Sequence, residues 1–247
     1  MTRAIIKITD LHFVREKEDW RFVLSLDELS IHPGDQRALI GSSGSGKSTL
    51  LDLLALALRP TSVGQFKLCN ETATHPEESY ANIGAAWKNN DLDRLADLRA
   101  GHTGYILQQG GLLNYLTVGE NIALPLKLLG SAVDRDWIRK LTANLGIEQY
   151  LERRPNQLSV GERQRAGIAR AVVHRPKVIF ADEPTASVDA ANALAVAHVL
   201  RAVARQLGSA LIVATHDMSL VETLELLPLT LNISQEQGGT VSRFSDP

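Results

Sequence analysis

The sequence has a single cysteine, no long apolar run and almost no net charge. Cys69 cannot form an intrachain disulfide, and no Cys/His cluster has zinc spacing, so we expect a reducing compartment. A net charge of −2 gives no electrostatic reason for nucleic acid as a partner, and we expect none. The longest apolar stretch, residues 50–58, contains Asp52 and is shorter than the roughly 18 residues that a membrane span needs. The amino terminus, MTRAIIKITD, lacks the apolar core of a secretory signal. We therefore expect action at a membrane only through a partner.

The rest of the composition is ordinary for a soluble globular protein, with 44% hydrophobic and 22% charged residues. A length of 247 residues suits one large domain with, at most, a smaller lobe attached. We therefore interpret residues 1–247 as a single domain.

Short runs of branched and aromatic residues alternate with helical spacing along most of the chain. The runs predict strands at residues 4–8, 22–26, 37–40, 104–108, 178–181 and 210–214. Apolar spacing predicts helices at residues 47–58, 92–100 and 190–206, and Pro33-Gly34-Asp35 predicts a turn. Buried strands that alternate with helices favour a parallel sheet covered on both faces.

Three stretches depart from that alternation. Residues 110–165 are mostly helical, with predicted breaks at Pro125, Gly130 and Gly146, and are interpreted as a lobe inserted into the fold. Residues 70–90 are polar and are predicted to be irregular. The tail, residues 232–244, predicts a strand–turn–strand hairpin that turns at Gly238-Gly239.

The stretch that points to function is GSSGSGKST, which follows a predicted strand and opens a predicted helix. Its spacing, G-x-x-x-x-G-K-[ST], is that of a phosphate-binding loop, in which backbone N–H groups and a helix N-terminus hold an anion. Lys47 would reach the β- and γ-phosphates of a nucleotide, and the hydroxyl of Ser48 would ligate Mg²⁺. The residues predicted to bind the nucleotide are Gly41, Ser42, Ser43, Gly44, Ser45, Gly46, Lys47, Ser48 and Thr49.

A second strand supplies two carboxylates. Residues 178–181, VIFA, form a buried strand, and Asp182 and Glu183 follow at its carboxyl end, where ligands of parallel sheets bind. We expect Asp182 to hold Mg²⁺ and Glu183 to orient or deprotonate an attacking water.

Taken in order, the motifs resemble the nucleotide-binding domain of ABC ATPases. Beyond the phosphate loop they are NQLSVGERQR at 156–165, IARA at 168–171, ADEPT at 181–185 and SVD at 187–189. The resemblance implies an α/β fold: a P-loop NTPase (RecA-like) core with a parallel sheet, an antiparallel β subdomain at the amino terminus, and an inserted α-helical subdomain. The core would take about residues 1–109 and 166–247, and the helical lobe with the signature about residues 110–165.

The signature of that family begins a helix that faces the γ-phosphate held by a second protomer. Its usual form is LSGGQ, whereas this chain reads LSVGE. Ser159 and Gly161 match and are expected to contact the nucleotide of the partner. Val160 adds bulk at that approach, and Glu162 adds a negative charge near an anion.

Other family positions are found one at a time. Gln108 matches the glutamine that links the magnesium site to the helical lobe, and it is expected to act both in catalysis and as a metal ligand. His216 matches the histidine that senses the γ-phosphate, and Asp189 the aspartate that couples the two sites of a dimer. Phe13 lies nearest the position of the aromatic that stacks on adenine, with Trp20 as the alternative.

The resemblance implies an ATPase that uses ATP and Mg²⁺ and forms a head-to-tail dimer with a second copy around two nucleotides. Residues 104–130, GYILQQGGLLNYLTVGENIALPLKLLG, resemble the subgroup of lipoprotein-releasing, macrolide-exporting and cell-division complexes. An integral membrane subunit would dock on the helical lobe, which puts the chain at the cytoplasmic face of the inner membrane as a peripheral protein. A solute importer is the alternative, followed by a soluble ABC NTPase. The membrane subunit would select the substrate.

Overall fold

The computed structural model describes residues 3–17, 20–69, 79–108, 110–188, 190–236 and 239–246. The strands are β1 (Ile6–Lys17), β2 (Trp20–Ile31), β3 (Gln36–Ile40), β4 (Gln65–Cys69), β5 (Tyr80–Asn82), β6 (Thr103–Ile106), β7 (Val178–Asp182), β8 (Ala210–Thr215), β9 (Leu227–Glu236) and β10 (Gly239–Ser245). The α-helices are α1 (Lys47–Leu54), α2 (Ile83–Lys88), α3 (Leu92–His102), α4 (Val118–Leu128), α5 (Arg135–Asn144), α6 (Val160–Val172), α7 (Ala190–Leu207) and α8 (Met218–Leu224). In the described part of the chain, short 3₁₀ helices lie at Glu148–Tyr150 and Pro155–Gln157.

The strands form one mixed sheet in the order β5-β4-β1-β2-β10-β9-β3-β8-β7-β6. Strands β9, β3, β8, β7 and β6 pair in parallel, whereas β5, β4, β1 and β2 pair antiparallel. The carboxyl-terminal hairpin joins the two parts, because β10 pairs antiparallel with β9 and parallel with β2. The predicted parallel core and amino-terminal antiparallel part are confirmed, and so is the pairing of the hairpin strands. Of the predicted turn residues, Gly239 belongs to β10 and Gly238 lies outside the described residues.

The parallel sheet is covered on both faces, as its apolar strands predict. On β7, Val178 and Phe180 are fully buried in one cluster with the leucines of α1. The alternate residues Ile179 and Ala181 are fully buried in a second cluster with apolar residues of α6 and α7. Because parallel strands end at the same edge of a sheet, the residues after β3, β6, β7 and β8 come together there.

Several predicted elements differ from the structure in their bounds. The strands predicted at residues 4–8 and 22–26 overlap the longer β1 and β2, and the strand predicted at residues 104–108 ends at Ile106. Helix α1 ends at Leu54 instead of residue 58, because Leu56 takes a left-handed φ of 59° that cannot continue the helix. The region 70–90 is only partly irregular: it contains β5 and α2, and residues 70–78 lie outside the described residues.

The helical region follows the prediction except at one residue. The break at Pro125 is wrong, because α4 continues through the proline to Leu128. The ring removes one backbone donor, yet the apolar face of α4, with Val118, Ile122 and Leu126, stays packed in the cluster that α6 shares. Gly130 and Gly146 do end α4 and α5, each with a positive φ. Helix α6 continues past residue 165 to Val172, so the division into core and lobe stays a prediction.

Within the described residues, no helix combines the length and the apolar character that crossing a membrane requires.

Candidate functional site

A cleft of about 620 Å³ opens where the parallel strands end, and most of the sequence-predicted residues meet in it. Residues 42–49 form one wall. Gln108, Asp182, Glu183 and His216, which follow or end β6, β7 and β8, form another part of the lining. Residues separated by more than 170 positions are thus brought to one place by the parallel order of the strands.

The phosphate loop is shaped by glycine. Gly46 has a φ of 90° and caps α1, and a Cβ at this position would lie 2.7 Å from the Phe22 ring. A larger residue would therefore be strained both in its backbone and against the antiparallel part of the sheet. The loop backbone curls so that Ser45 N donates to Ser42 O at 3.3 Å.

The side chain of Lys47 is 6% exposed and folds back over the phosphate loop. Its Nζ donates to the carbonyl oxygens of Gly41 at 2.7 Å and Ser42 at 3.0 Å, and lies 4.0 Å from Glu183 Oε1. The hydroxyl of Ser45 is buried and has no hydrogen-bond partner among the described residues. A buried polar atom without a partner costs free energy, and an anion held in the loop is the kind of ligand that would satisfy it.

Ser48 and Asp182 join the loop to β7. Ser48 Oγ donates to Asp182 Oδ1 at 2.9 Å. Burial raises the pKa of Asp182 above its ordinary value, against the opposing effect of the Ser48 hydrogen bond, and the neighbouring carboxylates add to the rise. A cation at this position would offset that repulsion.

These oxygen donors fit Mg²⁺. In the part of the chain that the structure describes, no group of three or more His, Cys, Asp or Glu side chains could hold a metal by itself. Mg²⁺ usually takes one or two carboxylates and completes its shell with waters and substrate phosphates. The Ser48 hydroxyl and the Asp182 carboxylate beside a phosphate loop are such a set, with the Gln108 amide at the same cleft.

Glu183 is held in a defined position. Its φ is 46°, its backbone N donates to Ala214 O at 2.9 Å, and Thr215 Oγ1 lies 3.5 Å from Oε2. His216 Nδ1 lies 2.8 Å from Oε1. A left-handed backbone at a non-glycine residue is strained and is found most often at functional sites.

Gln108 lies in a segment that side chains of α6 hold by hydrogen bonds. Gln164 Nε2 donates to Leu107 O at 3.3 Å, and Arg170 donates to Gly111 O at 2.6 Å. Ser187 Oγ donates to Gln108 O at 3.2 Å. Sequence reasoning missed Gln164 and Arg170, although an arginine inside the apolar run IARAVV is a visible signal.

The aromatic residues that line the cleft are Trp20 and Phe22, and Phe13 is not one of them. Phe13 is 7% exposed and packs in the core. Trp20 is 43% exposed at the cleft, and its ring lies parallel to Phe22 within 5°, with centroids 6.0 Å apart. Of the two alternatives read from the sequence, the geometry favours Trp20, with Arg15 beside it.

The signature does not join this cleft within one chain. Ser159 is the N-cap of α6 and forms a capping box with Glu162: Ser159 N donates to Glu162 Oε2 at 2.7 Å, and Glu162 N donates to Ser159 Oγ at 3.3 Å. Gly161 follows in the first turn, and Val160 is 41% exposed. Hydrogen bonds, first from the Tyr150 hydroxyl and then from the Ser159 backbone, lower the pKa of Glu162. Asp189, the remaining predicted residue, lies outside the described residues.

Comparison with known proteins agrees with this geometry. Residues 24–186, more than half of the chain, match the ABC transporter family. The chain is 34% identical over 243 residues to the lipoprotein-releasing system ATP-binding protein LolD of Idiomarina loihiensis, covering 96% of this chain and 100% of that protein. It is 38% identical over 205 residues to the macrolide export ATP-binding/permease protein MacB 1 of Aeromonas hydrophila, covering 82% of this chain but only 29% of that protein.

Solved structures give the same result for the fold. A dimeric ATP-binding cassette in a post-hydrolysis state, bound to ADP and Pi, is similar with a TM-score of 0.68 and 26% identity, over 88% of this chain and 90% of that one. The similarity covers the mixed sheet and its helices, so the predicted P-loop NTPase fold is confirmed. The chain therefore belongs to the ABC transporter family, and it is an ATP-binding cassette and an ATPase.

Proposed function

We propose that this chain hydrolyses ATP as one half of a head-to-tail dimer and drives an integral membrane subunit of the lipoprotein-releasing or macrolide-exporting type. The observation that carries the proposal is the cleft at the carboxyl edge of the parallel sheet, where the phosphate loop meets Asp182, Glu183, Gln108 and His216. Similarity to LolD along the whole chain supports the choice of complex.

In the proposed site, the phosphate loop binds the phosphates of ATP. The backbone N–H groups and Lys47 contact the β- and γ-phosphates, and Lys47 exchanges its loop carbonyls for phosphate oxygens. Trp20 stacks on the adenine ring. Binding therefore uses both the parallel core and the antiparallel part of the sheet.

Glu183 is the proposed general base, because its carboxylate faces the cleft and can accept the proton of an attacking water. His216 holds that carboxylate and is placed to sense the γ-phosphate. Ser48, Asp182 and Gln108 would hold Mg²⁺, which would supply positive charge beside the phosphates.

The dimer is supported by what one chain lacks. Ser159 and Gly161 lie outside the cleft that holds the phosphate loop, so a second copy must bring its signature to complete each site. The cassette of known structure that is bound to ADP and Pi is itself dimeric. In the proposed dimer, the amino end of α6 faces the γ-phosphate that Lys47 of the other copy binds.

The membrane partner is supported by the names of the relatives and by the surface of the helical region. LolD is the ATP-binding protein of a lipoprotein-releasing system, and MacB joins an ATP-binding part to a permease in one protein. Tyr115 and Leu128, before and at the end of α4, are largely exposed and give the helical region an apolar surface for a partner. A subunit docked there would keep the chain peripheral at the cytoplasmic face of the inner membrane.

One experiment tests both halves of the proposal. The tagged chain is purified from detergent-solubilised membranes, and the ATPase rate of the recovered complex is compared with that of the Lys47→Ala variant. We expect co-purification of a membrane subunit with both forms, and hydrolysis only with wild type. A folded Lys47→Ala variant that hydrolyses ATP at the wild-type rate would remove the phosphate loop from the site, and recovery without any membrane subunit would favour a soluble NTPase.

A further inference from the structure

Helix α1 carries a carboxylate, that of Asp52, which lies outside the phosphate loop. Its four leucines are fully buried, but Asp52 lies among them one helical turn beyond Ser48. A carboxylate on a largely buried helix lowers stability unless it receives hydrogen bonds. Asp52 receives one from β6: Tyr105 Oη donates to Asp52 Oδ1 at 2.8 Å.

Ser48 and Asp52 act as two adjacent attachments on one side of α1. Residues at i and i+4 lie on the same face of a helix. Ser48 donates to Asp182 on β7, and Asp52 accepts from Tyr105 on β6, the next strand of the sheet. The helix behind the phosphate loop is therefore tied to both strands whose ends carry proposed magnesium ligands.

The Tyr105 hydroxyl is suited to a lasting hydrogen bond. Burial first, and then the hydrogen bond to Asp52, raise the pKa of the phenol well above its usual range. The hydroxyl thus stays protonated and remains a hydrogen-bond donor to Asp52. The Tyr105 ring also contacts Phe180 of β7, with centroids 6.4 Å apart.

We propose that Tyr105 is a positioning residue for Mg²⁺: by holding Asp52, it fixes the end of β6, and hence Gln108, relative to Ser48 and Asp182. Only two residues separate Tyr105 from Gln108, so a shift of the strand end moves the amide directly. This inference rests on the proposed function of the cleft. It assigns a role to two residues outside the phosphate loop and the cleft lining.

The test removes the Tyr105 hydroxyl and leaves the rest of the side chain unchanged. Tyr105→Phe keeps the ring and removes the tie, whereas Asp52→Asn removes the charge but keeps an acceptor oxygen for Tyr105. Tyr80→Phe is the matched control, because its hydroxyl also donates one hydrogen bond, to Ala4 O at 3.1 Å, at the opposite end of the sheet. The readout is the affinity for a fluorescent ATP analogue, measured in EDTA and again with Mg²⁺.

In Tyr105→Phe we expect unchanged affinity in EDTA and a loss of about tenfold in the factor by which Mg²⁺ tightens binding. Tyr80→Phe and Asp52→Asn should keep that factor within about twofold of wild type. Hydrogen exchange of residues 103–108 should speed up in Tyr105→Phe only. If Tyr105→Phe does not fold, the double variant Tyr105→Phe/Asp52→Leu removes both polar groups and carries the same prediction.

The outcomes separate this inference from the function on which it rests. A full Mg²⁺ effect in folded Tyr105→Phe overturns the positioning role, and an equal loss in Asp52→Asn overturns it in favour of the charge of Asp52. If wild type binds the analogue equally in EDTA and in Mg²⁺, the proposed magnesium site itself fails.

Discussion

The imidazole of His216 and the carboxylate of Glu183 form one unit: His216 Nδ1 lies 2.8 Å from Glu183 Oε1. A carboxylate only accepts, so an N–H on Nδ1 donates this hydrogen bond. The same Oε1 lies 4.0 Å from Lys47 Nζ. The proposed base is thus in contact with His216, the proposed γ-phosphate sensor, and lies near Lys47, so a shift of either side chain is expected to affect it.

The first prediction concerns Glu183→Gln. The amide keeps the size of the side chain but cannot take the proton of the attacking water, so hydrolysis should fall by about 10²–10⁴-fold, the usual contribution of a general base. Asp182 is unchanged, so ATP and Mg²⁺ should still bind. Size-exclusion chromatography with and without Mg²⁺-ATP should show a dimer that accumulates with two trapped nucleotides.

Asp182→Asn is the companion variant to Glu183→Gln, and it should weaken the dependence on Mg²⁺ as well as the rate. Near-normal hydrolysis by Glu183→Gln would assign the base to another group, with His216 examined first. Slow hydrolysis without a dimer would instead implicate the signature, in which Val160 and Glu162 differ from the usual residues.

The second prediction distinguishes the two candidate aromatics. Trp20→Ala should weaken ATP binding by roughly 5- to 150-fold, because stacking of a base on an aromatic ring contributes about 1–3 kcal/mol. Phe13→Leu should lower the stability of the core but leave the Kd of ATP near that of wild type, because Phe13 does not reach the cleft. Fluorescence titration gives both values, and the opposite ranking would return the role to Phe13.

The sequence predicts the parts of this site that are local in the chain. The phosphate loop is predicted from a strand, glycines and a helix that follow one another in the chain. Asp182 and Glu183 are predicted from their place at the end of a buried strand. The adenine contact depends instead on the pairing of β1 with β2: Arg15 lies opposite Phe22 near the cleft, and Phe13 lies opposite Leu24 deeper in the sheet. Residue types do not reveal that register, so Phe13 and Trp20 could not be distinguished before the strands were placed.

Contacts between distant segments escape sequence reasoning for the same reason. Gly167 of α6 packs against Gly110, which lies in the segment after Gln108. Neither stretch of sequence predicts this contact. A Cβ on Gly167 would lie 2.7 Å from Gly110 O and 2.8 Å from its Cα.

The third prediction follows from that packing. Alanine in a helix is ordinarily more stable than glycine by about 1 kcal/mol, but Gly167→Ala should destabilise the chain by roughly 1–3 kcal/mol, because it overpacks against backbone. It should also lower ATPase activity by displacing the segment that holds Gln108. Gly101→Ala in α3 is the control: nothing lies within 4 Å of its Cβ position, so a gain of up to about 1 kcal/mol is expected. Urea midpoints measure both variants, and stabilisation by Gly167→Ala would show that the contact is loose.

The fourth prediction concerns pH and the imidazole of His174, between α6 and β7. His174 Nε2 lies 3.1 Å from Thr103 O, while Nδ1 is buried without a partner among the described residues. Burial lowers the pKa of His174 below its ordinary 6.5. The neutral ring therefore donates from Nε2, and protonation would place a second N–H on Nδ1, where the described part of the chain offers no acceptor.

Because the pKa of His174 is lower in the folded chain, the unfolded chain binds the proton at a higher pH than the folded chain does. The contribution of His174 to stability is thus fully present above pH 6.5 and is lost as the pH falls from 6.5 through the lower pKa of the folded state. Urea midpoints of wild type should decrease from pH 7.5 to 5.5, and His174→Gln should lose part of that decrease because its amide does not titrate. His198→Gln, at an exposed position of α7, should keep the slope of wild type. Equal slopes in wild type and His174→Gln would show that the ring accepts its second proton at no cost, and would require an acceptor near Nδ1.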